Sequence, residues 1–329
     1  MSSQTGAITL AELQAPVAGG LADARAEIRR LIEADFPLIA EVNAHLLQMQ
    51  GKLFRPTLVL LANAATGNRD SRASAFAAVV ELIHLATLVH DDAVDHSVLR
   101  RGMPTINALF SHQISVIMGD YLYSRAVIEL VRLEDLGALR ILSRVTNEMT
   151  VGEMRQLLAH DPLHFSEADY DLLIRSKTAS LMSGACEVGA LRAPEPQREA
   201  MARFGYHLGM AFQIVDDLLD FTADELDTGK PSGLDLREHK VTLPLIHALP
   251  RMDRDQRQAV EALMATPDPT DAEIQAVVEA VTVRGGLDYA RERARGLIAA
   301  AEADLEVLPP GSARETLRAS LGYVLERRR

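Results

Sequence analysis

The stretch Ser74–His90 is apolar on nearly every face and runs straight into the acidic string Asp91-Asp92-Ala93-Val94-Asp95. A helix with no polar side belongs in the middle of a molecule, so the rest of the chain has to be arranged around it. The composition suits that arrangement. Hydrophobic residues make up 48% of the 329 positions, Trp is absent, and only 8 Phe and 6 Tyr occur, so the apolar content is mostly Ala, Leu, Val and Ile. Such a chain leans towards helix. Apolar residues recur at helical spacing from Leu21 to Leu47, with a break near Pro37. Further helices are predicted over 56–66, 111–133, 137–160, 167–190, 196–222, 241–249, 254–265, 271–283, 285–307 and 312–327. Ser166 with Asp169, and Thr270 with Asp271, read as N-caps, while Pro162, Pro194, Pro196, Pro250 and Pro309-Pro310 punctuate the helices. Strand-period alternation is absent. The expectation is one all-α domain over residues 1–329, with residues 1–20 loosely held.

Several function classes are disfavoured at this level. The net charge of −12 argues against binding to nucleic-acid phosphates or to an anionic membrane surface. No membrane span is expected, since the best apolar run, Thr57–Ala65, is interrupted by Asn63. The N-terminus lacks the basic-then-apolar order of a secretory signal. The single Cys186 excludes an internal disulfide and a Cys-rich zinc module, and reads as a small core residue in a reducing, cytoplasmic compartment.

Two strings carry the chemistry. Asp91-Asp92-Ala93-Val94-Asp95 ends one apolar helix, and Asp216-Asp217-Leu218-Leu219-Asp220 ends another apolar stretch, Leu208–Val215. On a helix, i and i+4 share a face, so Asp91 pairs with Asp95 and Asp216 with Asp220. Carboxylates that close are costly beside apolar surface unless a cation lies between them. A few hard oxygen ligands suit Mg²⁺, which keeps several waters and is shared with substrate phosphates. Cations cluster nearby: Lys52 and Arg55 at a helix start, Arg100 and Arg101 after the first string, Lys177 on an apolar helix, and Lys230 and Lys240 after the second. Singly each could be an ordinary salt-bridge partner; together they fit a pocket for two diphosphates. His90 and His96 read as packing or rim residues, and Arg327-Arg328-Arg329 as complements to a helix C-terminus.

These residues resemble the trans-isoprenyl diphosphate synthases, or polyprenyl synthetases. The resemblance runs from Gly51 to Pro244 and includes Gly51-Lys52-x-x-Arg55-Pro56, both Asp-rich strings, Arg100-Arg101-Gly102, Gly119-Asp120, Gly152-Glu153 with Gln156, Lys177-Thr178-Ala179, Phe204-Gly205, Phe212-Gln213, Gly229-Lys230, Gly233-x-Asp235 and Lys240-Val241-Thr242-Leu243-Pro244. A single Gly before Lys52, and Leu53-Phe54 where a basic residue is common, are small departures. The resemblance implies an all-α bundle with a central cavity and a Mg²⁺-dependent condensation of an allylic diphosphate with isopentenyl diphosphate, releasing pyrophosphate. It also implies a homodimer.

By motif position, Asp91, Asp95 and Asp216 resemble direct metal ligands, with Asp92, Asp217 and Asp220 nearby or acting through water. Arg100, Lys177, Lys230 and Lys240 resemble the allylic-diphosphate clamp, and Lys52, Arg55, His84 and Arg101 the isopentenyl-diphosphate site. Thr178, Phe212 and Gln213 would line the reacting carbons together with Lys177. Short-chain members carry an aromatic at the fifth or fourth position before the first string; here stand Ala86 and Thr87. With Ile83 and Val79 they form one helical stripe, and a long-chain synthase of the octaprenyl or heptaprenyl kind is expected. A short-chain synthase, a helical terpene cyclase and a non-catalytic subunit of a heteromeric synthase stay as alternatives. The cyclase is disfavoured by Lys52, Arg55 and the full second string, and the subunit by both strings being intact.

Overall fold

The computed structural model describes residues 8–49, 51–67, 69–100, 102–158, 162–222 and 233–327. At its centre is α5 (Ala73–Val94), in contact with α2 (Ala18–Ile32), α4 (Phe54–Ala65), α7 (His112–Arg132) and α10 (Ser180–Gly189). By length and composition alone α5 could cross a membrane, although no span is expected from the sequence. Here its apolar faces are taken by neighbouring helices: Val79, Val80 and Leu82 have no exposed surface. Wrapping a fully apolar helix in amphipathic ones is the arrangement that removes the most hydrocarbon from water.

A first hydrophobic cluster joins α2, α5, α7, α8 (Leu136–Leu158) and α10. A second surrounds the C-terminal half of α11 (Glu195–Thr222) with α13 (Leu243–Ala248), α14 (Arg254–Ala265), α15 (Asp271–Val283) and α16 (Gly286–Asp304). The third brings α4, α10 and the N-terminal half of α11 against α17 (Ser312–Glu326). α3 (Pro37–Gln48) begins at the proline where the sequence shows a break. Ser166 and Asp169 make a reciprocal capping box at the start of α9 (Glu167–Ile174), and Thr270 does the same with Glu273 at α15.

Three expectations are corrected. The segment read as loose is helical from Leu10: α1 (Leu10–Gln14) starts at a Thr9/Glu12 capping box, and Leu13 is fully buried. Gly19 and Gly20 lie inside α2, where a Cβ at Gly20 would come within 3.0 Å of Leu60, so the missing side chain lets α2 close on α4. A small antiparallel hairpin, β1 (Leu99–Arg100) with β2 (Met103–Pro104), occurs where no strand is expected, because two-residue strands are too short to alternate. Gly102, at φ +74°, makes its turn. Finally, the helix predicted over 167–190 is interrupted by a π-turn at Arg175–Ala179. Two further helices are short, α6 (Ile106–Leu109) and α12 (Leu234–Arg237).

Candidate active site

α5 continues through the first acidic string, so consecutive aspartates there project roughly 100° apart. Asp91 points to Lys177, whose Nζ lies 3.4 Å from it, 2.9 Å from Glu153 and 3.4 Å from Gln156 Oε1. Burial raises the Asp91 carboxyl above the ordinary carboxylate range, against the pull of Lys177. Burial pulls the Lys177 ammonium down, and the charges of Asp91 and Glu153 outweigh it, leaving the group more basic than usual. Asp92 turns inward instead and is 4% exposed. Arg100 holds both its oxygens, through Nη2 at 2.8 Å and Nε at 2.9 and 3.0 Å. That guanidinium is carried on β1 of the hairpin. Asp95 is exposed. His90 occupies the space left by the absent side chain of Gly119, where a Cβ would stand 2.3 Å from its Nε2.

Lys177 and Thr178 sit on the π-turn, a local widening that is uncommon and frequent at functional sites. Glycines on two flanking helices allow it. A Cβ at Gly152 of α8 would come 2.4 Å from the Ser176 Cβ, and one at Gly209 of α11 would come 2.6 Å from the Ala179 Cα. From this turn a hydrogen-bonded chain runs inward. Thr178 donates to Gln213 Oε1 at 2.8 Å, Gln213 Nε2 donates to Asp217 at 2.9 Å, and the Tyr170 hydroxyl donates to the other Asp217 oxygen at 2.6 Å. Tyr170 and Asp217 are 2% and 5% exposed. Burial pushes the Asp217 carboxyl up to about 8, against the pull of its two donors.

The second string divides in the same way. Asp216 faces out and takes Arg327 at 2.8 Å. That arginine also donates to the Phe212 carbonyl at 2.9 Å and lies 3.7 Å over the Phe212 ring, whose centroid is 5.8 Å from that of Phe54. Asp220 accepts from the backbone N–H groups of Leu234 and Asp235 at 3.1 and 3.0 Å, capping α12. Asp235, half-buried beside Asp220, is pushed up to about 6 by its loss of solvent. Lys240 pairs with Glu238 at 2.5 Å, and burial, which lowers its basicity, is outweighed by Glu238 and then by Asp235 and Asp95. Asp95 also raises Lys177, so one carboxylate acts on a lysine beside each acidic string.

The remaining expected residues fall as follows. Arg55 Nη1 is 3.1 Å from His84 Nε2, bringing two of the four isopentenyl-diphosphate candidates together. Lys52 is exposed beside Leu53, whose φ of +52° makes the sharp entry into α4. Arg101 and Lys230 lie outside the described residues. Val79, Ile83 and Ala86 are buried, and Thr87 turns its hydroxyl onto the His84 carbonyl at 2.8 Å. Phe212 differs from expectation: its ring is packed with Phe54 and covered by Arg327. Arg327 itself, read as a helix-end charge, is drawn into the site, and Tyr170 and Glu153 had no role assigned. Glu153 stands in a quoted motif; nothing local marks Tyr170.

Of the six aspartates expected at or near a metal, Asp92, Asp217 and Asp220 have their oxygens engaged by Arg100, by Tyr170 and Gln213, and by two backbone N–H groups. Asp91, Asp95 and Asp216 are the hard oxygen donors that reach the open side. Among the described residues no three acidic, histidine or cysteine side chains converge tightly enough to hold an ion alone. That donor set fits an ion such as Mg²⁺, which takes one or two carboxylates and completes its shell with water and substrate phosphate.

The chain is also similar to known proteins. Residues 36–281 match the polyprenyl synthetase family. The chain is 39% identical to the all-trans-nonaprenyl-diphosphate synthase (geranyl-diphosphate specific) of Rhodobacter capsulatus, covering 93% of this chain and 94% of that one. It is 38% identical to the octaprenyl diphosphate synthase of Haemophilus influenzae, covering 89% of each. The solved polyprenyl synthase from Caulobacter crescentus, complexed with calcium and isoprenyl diphosphate, superimposes with a TM-score of 0.91 at 33% identity, covering 98% of this chain and 99% of that one. The chain belongs to the polyprenyl synthetase family and is a prenyltransferase of all-α fold.

Proposed function

We propose that this enzyme condenses isopentenyl diphosphate with an allylic diphosphate, releasing pyrophosphate and building a long-chain all-trans polyprenyl diphosphate. It acts as a cytoplasmic, Mg²⁺-dependent homodimer. The observation that carries the reading is Lys177, poised between Asp91 and Glu153, with Thr178 on the same turn bonded to Gln213 of α11. This sets a diphosphate clamp next to an amide carbonyl. Mg²⁺, when held by Asp91, Asp95 and Asp216, neutralises charge on the departing diphosphate.

The protein's own groups do the rest. Arg100, fixed by Asp92, and Lys177 grip the allylic diphosphate, with Lys240 beside them; Lys52, Arg55 and His84 hold the second substrate. Gln213 gives its N–H to Asp217, so its carbonyl dipole is turned towards Thr178 and the reacting carbons. A fixed dipole there stabilises developing positive charge without having to reorganise. The small side chains at Ala86 and Thr87 leave room for a growing chain. Exposed apolar residues on two adjoining helices, Ile117, Ile128 and Val131 on α7 with Val151 and Met154 on α8, support association with a second copy.

The test is pyrophosphate release by the purified chain alone with labelled isopentenyl diphosphate. Activity is expected to vanish with EDTA and return with Mg²⁺, and Asp91→Ala is expected to lose several orders of magnitude in kcat while remaining folded. No turnover by the chain alone, or most of the activity surviving in Asp91→Ala, overturns the proposal.

A further inference from the structure

Ser180 places two donors on two successive carbonyls. Its backbone N–H reaches the Arg175 carbonyl, five residues back, and its hydroxyl donates to the Ser176 carbonyl, four residues back, at 2.6 Å. In an unbroken α-helix the N–H itself takes the carbonyl four residues back. The π-turn has moved that N–H one acceptor further along the chain, and the carbonyl it left is covered by the side chain of the same residue. Solvent is no substitute there, since Ser176 and Ser180 are each 4% exposed. A buried carbonyl without a donor is costly, so a residue with one donor at this position has to choose between the wide register and the ordinary one. Serine allows the wide register with both carbonyls bonded. Gly152 and Gly209 give the turn its room, and Ser180 completes its hydrogen bonds.

The added residue sets the phase of one face. Tyr170 and Thr178 are eight residues apart. On an unbroken α-helix that separation is about 800°, or some 80° away from a common direction. The residue inserted by the π-turn removes about 100°, which brings the two side chains to within about 20° of each other. Both hold the same face of α11. Tyr170 bonds Asp217 at 2.6 Å and Thr178 bonds Gln213 at 2.8 Å, and those two partners stand four residues apart and bond each other. In the ordinary register, with Tyr170 kept on Asp217, Thr178 swings away from Gln213 and Lys177 turns with it, away from Asp91 and Glu153.

We propose that Ser180 is a positioning residue for the condensation: its hydroxyl holds the widened turn that keeps Tyr170 and Thr178 in phase, and so aims Lys177 and Gln213. It touches no reacting atom. The inference rests on the roles given to Lys177 and Gln213 above.

Steady-state kinetics of Ser180→Ala, alone and combined with Tyr170→Phe, test this beside wild type and Lys177→Ala. Ser180→Ala removes one oxygen and keeps a good helix former. It is expected to lower kcat about tenfold and to raise KM for the allylic diphosphate about threefold, with KM for isopentenyl diphosphate unchanged. Because both residues act through one face, Tyr170→Phe is expected to lower kcat by less than about twofold in the Ser180→Ala background, against about fivefold in wild type. Wild-type kinetics in Ser180→Ala, whatever its Tm, mean a hydroxyl that serves stability alone and overturn the proposal. Independent, multiplicative losses in the double variant overturn it as well. Lys177→Ala separates the two levels of the argument. If it leaves the allylic KM at the wild-type value, the clamp reading itself fails; if it raises that KM while Ser180→Ala does not, only the Ser180 inference falls. Should Ser180→Ala not fold by circular dichroism, Ser180→Cys, a weak donor of similar size, is read in its place against the same outcomes.

Discussion

Tyr170 touches no expected substrate position, yet its hydroxyl makes a 2.6 Å bond to Asp217, which in turn holds Gln213. Tyr170→Phe deletes that bond and leaves no cavity. Its worth follows from the state of the carboxyl. Burial brings Asp217 to about 8, so at neutral pH it is only partly ionised. The bond then falls where the ranges for neutral and charged partners meet, at about 1.5 kcal/mol. For 329 residues the unfolding entropy is about 0.7 kcal/mol per kelvin, so Tm is expected to fall by about 2 °C.

Loosening Asp217 costs Gln213 part of its orientation. About 1 kcal/mol lost from the transition state alone is roughly fivefold in kcat, with KM for both diphosphates unchanged. The Mg²⁺ concentration needed for half activity is expected to stay the same, because Asp217 faces inward. Differential scanning fluorimetry and initial rates at varied substrate and Mg²⁺ check all three. Wild-type Tm and kcat in Tyr170→Phe refute the argument, and a raised KM would mean that Tyr170 acts on substrate binding instead.

Asp92→Asn tests the separation of roles within the first string. Losing the charge that grips Arg100 is expected to raise KM for the allylic substrate about tenfold, with no change in Mg²⁺ requirement; a shifted Mg²⁺ titration would return Asp92 to the metal. The cluster in which Arg72 and Arg192 both bond Asp70, at 2.7 and 3.2 Å, gives a pH signature. Hydrogen bonding from Arg72 holds Asp70 at about 2, below its ordinary 3.8, despite the opposing effect of burial. The native state therefore binds this proton less readily than the unfolded one. The resulting stability is present above pH 3.8 and is lost as the pH falls through 2. Allowing for the partly exposed arginines, it is about 1–2 kcal/mol. Asp70→Asn is expected to lower Tm at pH 6 and to match wild type near pH 2; a constant difference at both would refute the assignment.

The features legible in the sequence are those carried by local spacing. The apolar run before Asp91 announces a central helix, and the motif order around it announces the chemistry. What stays hidden is rotational phase. Asp216 and Asp217 are the same letter twice, yet on α11 they project about 100° apart, one to the open side and one onto Tyr170. Asp91 and Asp92 divide likewise between Lys177 and Arg100. The π-turn is set by how closely Gly152 and Gly209 let two other helices approach, a tertiary fact with no local pattern. Arg327 meets Asp216 across 111 residues of chain, so its helix-end reading was the natural local one. Residues 10–20 are different, since the Thr9/Glu12 capping box that starts α1 is a local signal.

Each of four cations at the site is paired with carboxylate: Lys177 with Asp91 and Glu153, Arg100 with Asp92, Lys240 with Glu238 and Arg327 with Asp216. Entry of a magnesium diphosphate is then an exchange of partners. Asp91 and Asp216 would hold Mg²⁺ in place of Lys177 and Arg327, which would leave those two cations to meet substrate phosphate. Little net charge is transferred, and few counterions need to leave. Affinity should accordingly fall only gently with ionic strength, in contrast to a bare basic cradle, and metal and diphosphate should each strengthen the hold on the other, because either one alone leaves half of the exchange unmade.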